Sequence, residues 1–91
     1  MSVYIVITDS PDDIPVDNLK QLYPSNFQIA PNVWAVKSPQ LSEEVSKALF
    51  PFLPDTNRPK TRNVVVKAEA WWGYYSRTLW EWFSTAEATS G

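Results

Sequence analysis

Four aspartates, Asp9, Asp12, Asp13 and Asp17, fall within nine residues near the start of this 91-residue chain. Carboxylates in such a cluster can supply oxygen ligands to magnesium, and a bound magnesium can activate water against a phosphodiester. Asp9 is the candidate catalytic and metal-binding residue, because it closes the apolar run "YIVITD" where a strand ends. The same residues also suit plain turn chemistry. Asp9 and Ser10 can shape an Asx or Ser turn, with Asp12 and Asp13 solvated ahead of a helix. The chain has no histidine and no cysteine. That excludes the usual imidazole base, a thiolate nucleophile, a disulfide framework and thiolate zinc sites. Any catalysis then rests on carboxylates, lysine, tyrosine or hydroxyls, with magnesium as the fitting cofactor.

A second group is basic. Arg58, Lys60, Arg62 and Lys67 stand against Asp55 alone between residues 55 and 67. Neutralising phosphates with such a cluster gives salt-dependent nucleic-acid binding. The alternative is a solvated loop whose charge balances the acidic N-terminal segment. The net charge of −2 supplies no general attraction to nucleic acid.

The third group is aromatic. "KAEAWWGYYSRTLWEWF", residues 67–83, holds seven of the thirteen aromatic residues. Three uses are open: a base-stacking platform, core, or the anchors of a protein interface. Trp71 and Trp72 follow a strand in which neighbours face opposite sides, so one core cannot take both. Rings surplus to the core point to a dimer seam, with Trp71, Trp72, Tyr74, Tyr75 and Trp80 as its candidates.

The elements that must position these groups follow from periodicity and punctuation. "SVYIVIT" predicts a strand buried on both faces and therefore central. Pro15 opens a short helix carrying Val16, Leu19 and Leu22/Tyr23, which Pro24 stops. Two strands flank Pro31-Asn32, with Phe27 and Ile29 before it and Val33 to Val36 after. Ser42 is the expected cap of "EEVSKALF", whose stripe is Val45, Ala48 and Leu49. "DTNRPKTRN" is a polar loop, "VVVKAEA" (Val64–Ala70) a strand. Ser76 is the expected cap of a closing helix with Leu79, Trp82/Phe83 and Ala86 on one face. The order β-α-β-β-α-β plus a helix predicts one α+β domain, a ferredoxin-like sandwich with a four-stranded antiparallel sheet and an extra C-terminal helix. Its core spans about residues 2–86, with a frayed tail.

In this order the chain resembles the small ferredoxin-like family of the second CRISPR-associated protein, the adaptation nuclease, and its stand-alone SinR-like bacterial relatives. The resemblance rests on "YIVITD", "NVWAVKSPQLSEEVSKALFPFL" and "VVVKAEAWWGYYSRTLWEWF". It implies a homodimer in which Asp9 of each protomer holds a divalent metal for phosphodiester hydrolysis, or a non-catalytic scaffold that holds DNA. The chain lacks the arginine that the catalytic members carry in the first helix. Two functions are therefore carried forward. One is a nucleic-acid-associated homodimer with vestigial or weak nuclease activity. The other is a non-enzymatic interaction module, such as a toxin–antitoxin component or a phage-encoded inhibitor of a host nucleic-acid machine. With neither a signal-peptide pattern nor an apolar run of membrane-spanning length, the expected location is the cytoplasm.

Overall fold

The computed structural model describes residues 1–69 and 77–90, with side chains of the closing helix as far as Phe83. Strand β1 (Ser2–Thr8) is central, as its unbroken apolar run requires. It pairs antiparallel with β3 (Val33–Ser38) on one side and β4 (Asn63–Ala68) on the other. Strand β2 (Asn26–Ala30) extends the sheet beyond β3, in the order β2-β3-β1-β4. The result is the α+β fold expected, with the strand order of a ferredoxin-like sandwich.

Alternation along β1 divides the core in two. Tyr4 and Val6 face the helices α1 (Val16–Leu22) and α2 (Ser42–Leu49), packing with Leu19, Trp34, Val36, Val45 and Leu49. Val3 and Ile5 face the other way and meet α3 (Arg77–Ser90) through Leu79 and Phe83. The closing helix thus covers the sheet face that α1 and α2 leave open. This is the physical reason β1 carries apolar side chains at successive positions.

The helix starts differ from expectation by one residue. Pro15 is the cap of α1 and Val16 its first helical residue. In α2 the cap is Leu41, not Ser42, and it has no side-chain acceptor. Glu44 compensates, because its Oε1 accepts the Leu41 N–H at 2.9 Å. Within the α1 stripe Tyr23 is the buried partner of Leu19, whereas Leu22 is half exposed. Ser76, the expected cap of α3, and the Ala86 side chain lie outside the described residues. Among those residues, no helix is long and apolar enough to cross a membrane.

Candidate functional site

Asp9 follows the last residue of β1, and Arg62 precedes β4. The pairing of Thr8 with Asn63 brings the two together. Arg62 donates to a single carboxylate oxygen of Asp9, from Nε at 2.8 Å and from Nη2 at 2.7 Å. Both side chains are well exposed, at 61% for Asp9 and 87% for Arg62. The pair joins one residue expected in metal chemistry to one expected in phosphate binding, and each offsets the other's charge. Being exposed, it contributes at most about 1 kcal/mol to stability.

The neighbouring acidic residues do turn work. Thr8 donates its hydroxyl to the Ser10 carbonyl at 2.8 Å, and Ser10 Oγ accepts the Asp12 N–H at 3.4 Å. Asp12 and Asp13 lie exposed in a 3-10 turn, Pro11–Asp13. Asp17 sits in the first turn of α1, where a negative charge suits the helix dipole. Among the described residues no three acidic side chains converge as a metal site. Asp9 Oδ2 is engaged by the Arg62 guanidinium, so a magnesium ion at Asp9 would compete with that pair for the same oxygen.

The four expected basic residues have different partners. Arg62 is committed to Asp9, and Lys67 Nζ lies 3.4 Å from Glu69 Oε1. Arg58 and Lys60 are exposed on the loop that follows α2. That loop is closed by a bridge between Phe52 and Pro59 and by the Leu53 N–H donating to the Arg58 carbonyl at 2.9 Å. Asn57 turns its tip in the left-handed region at φ 55°, which asparagine tolerates better than most residues. Phe52 is 45% exposed beside Lys47, whose Nζ lies 5.3 Å from the ring centroid.

Of the candidate seam residues, Trp71, Trp72, Tyr74 and Tyr75 lie outside the described residues. Trp80 is half-buried against the α3-side core, its ring 6.0 Å from that of Phe83. Trp82 packs on the same cluster, with Lys37 Nζ 4.5 Å from its ring centroid. Burial lowers the pKa of Lys37 from the ordinary lysine value.

Two features escape sequence reasoning. The first is a polar knot around Gln40, where α1, β3 and the start of α2 meet. Gln40 Oε1 accepts from the Tyr23 hydroxyl at 2.9 Å and the Ser38 hydroxyl at 3.1 Å, while its carbonyl accepts from Tyr4. Burial, with a smaller contribution from Glu44, raises the Tyr23 pKa. Nothing in a lone glutamine after Ser-Pro signals such a junction. The second is β4. Among the described residues it lies at the sheet edge, with Val64 54% and Val66 44% exposed, on the face away from α1 and α2. Its valine run signalled a strand, but not its place in the sheet.

No family model matches the chain, and neither does any curated protein.

Proposed function

We propose that this chain is a non-enzymatic interaction module that works through macromolecular contact. The observation that carries this reading is β4, the outermost strand among the described residues, with Val64 and Val66 exposed. An apolar edge is a liability unless something pairs with it. The Asp9–Arg62 pair supports the same reading, since it offsets the one carboxylate on which hydrolysis would depend. The fold also suits a scaffold relative of the CRISPR adaptation nuclease group, acting as a homodimer in the cytoplasm. The test is incubation of pure protein with magnesium and labelled DNA or RNA. Absence of cleavage is expected, for the wild type and for Asp9→Asn alike. Magnesium-dependent cleavage that Asp9→Asn abolishes would overturn the proposal.

A second reading, a nucleic-acid-associated scaffold, is favoured by one local feature. Phe52, Lys47, Arg58 and Lys60 put an exposed ring among cations on or beside one closed loop. Rings among cations are the usual means of gripping single strands. Fluorescence anisotropy against a labelled single strand, repeated as salt is raised, separates the two. Salt-sensitive binding lost in Arg58→Ala/Lys60→Ala supports the second reading, and no binding at low salt removes it.

A further inference from the structure

We infer that the hollow between the end of α1, the end of β3 and α2 is a binding site for a small carboxylate with an apolar body. The site is independent of the interaction-module reading, and the two stand or fall separately.

The hollow arises where two elements stop. Pro24 follows the cap of α1, and Pro39 follows the last residue of β3. Ser38 then turns the backbone, its Oγ accepting the Gln40 N–H at 3.0 Å. The space left is about 340 Å³, at the lower end of the range for small-molecule sites. Its walls are mainly apolar, from Met1, Leu22, Pro24, Pro39 and Ala48. Met1 and Leu22 line it and are still 53% and 50% exposed, so an apolar ligand there removes surface from water that the fold leaves wet.

The polar groups of the lining converge on one side chain. Tyr23 and Ser38 are both buried, and their hydroxyls donate to Gln40 Oε1 at 2.9 and 3.1 Å. An amide oxygen has two lone pairs, so this one is filled and the amide is held in one orientation. Gln40 Nε2 carries two N–H donors that meet no acceptor among the described residues. Gln40 itself lines the hollow. A pre-oriented donor pair beside apolar walls calls for a ligand with an oxygen acceptor at one end.

Charge selects which acceptor. Lys37 is the one charged residue among those lining the hollow. Glu44 acts on Tyr23 from α2, but it lies outside the lining and its Oε1 is engaged by the Leu41 N–H. An anion is therefore favoured over a cation. A carboxylate also accepts an N–H bond roughly twice as strongly as a neutral oxygen does. Two sources share this chemistry, a free organic acid and the C-terminus of a peptide that ends in an apolar residue.

The test is a proton–nitrogen NMR titration of the full chain with hexanoate, hexanol and hexylamine, which share one apolar chain and differ in the head group. Hexanoate is expected to shift the Gln40 side-chain amide signals, with a dissociation constant of about 1 mM for a ligand this small. Hexanol and hexylamine should bind at least about tenfold more weakly. Acetyl-alanyl-leucine with a free carboxylate is the fourth probe. Tighter binding than hexanoate assigns the site to a chain terminus, and weaker binding assigns it to a free organic acid. Gln40→Glu exchanges the donors for acceptors, and Ala48→Leu fills the hollow without touching the polar groups. Each should weaken hexanoate binding at least about tenfold. The spectrum of each variant shows whether it folds, and Ala48→Leu, a good helix former on α2, serves if Gln40→Glu does not. Gln40 signals that hexanoate never moves overturn the inference. Hexylamine binding as tightly as hexanoate, or hexanoate binding unchanged in Ala48→Leu, overturns it as well. None of these results touches the cleavage assay.

Discussion

Replacing Leu79 by alanine tests whether α3 closes the second sheet face. Leu79 is 4% exposed and sits in one apolar cluster with Val3, Ala35 and Phe83. Truncating a buried leucine to alanine costs about 2–5 kcal/mol, from lost transfer energy and the cavity left behind. Val3 and Ala35 belong to the sheet and cannot follow a helix inward, so incomplete collapse is expected and about 3 kcal/mol is the working value. The total stability of a 91-residue domain is roughly 5–14 kcal/mol, so the loss is a large share of it. In thermal melts the midpoint should fall by roughly 10–25 °C. Urea titration gives the free energy directly, provided the slope stays that of the wild type. Thr78→Ala, one residue away and exposed, is the matched control and should stay within about 0.5 kcal/mol. If Leu79→Ala behaved like the control, α3 would not be docked on Val3 and Ala35. The two-sided core would then be wrong.

Other perturbations address the junctions. Gln40→Ala strips partners from the Tyr23 and Ser38 hydroxyls. It should cost about 1–3 kcal/mol by urea denaturation. Arg62→Ala should change stability by no more than about 1 kcal/mol, because the Asp9 pair is exposed. Raising the pH ionises Tyr23 in the unfolded chain, near its ordinary value of 10.0, before it ionises in the folded one. Stability from this group is therefore present below that value and is lost as the pH rises through the folded pKa. Lys37, with its pKa lowered, acts in the opposite sense, adding stability as the pH rises. Tyr23→Phe should accordingly flatten the alkaline decline in the denaturation midpoint, and an unchanged decline would reject the assignment.

The order of elements was legible because its signals are local. Prolines at 15, 24, 31, 51 and 54 punctuate the chain, and β1 and β4 are dense in β-branched residues. The placement of α3 was harder to read. Leu79 and Phe83 mark a stripe, but a stripe does not say which sheet face it meets. The sign was in β1 itself, where Val3 and Ile5 need cover as much as Tyr4 and Val6 do. The candidate site was legible as residue types and not as partners. Asp9 and Arg62 are 53 positions apart, and only the register of β1 on β4 makes them neighbours. Gln40 and the exposed valines likewise owe their roles to long-range pairing, which local pattern does not encode.

The central claim, that the outward edge of β4 is the working surface, is tested most directly by amide hydrogen exchange followed against protein concentration. Thr8 donates toward Asn32, so by antiparallel alternation Val64, Val66 and Ala68 are the β4 residues that bond β1, and they should be protected at every concentration. Asn63, Val65 and Lys67 should exchange quickly in dilute protein and become protected as the concentration rises. Rapid exchange of these three at all concentrations, or protection that does not alternate along the strand, would contradict it.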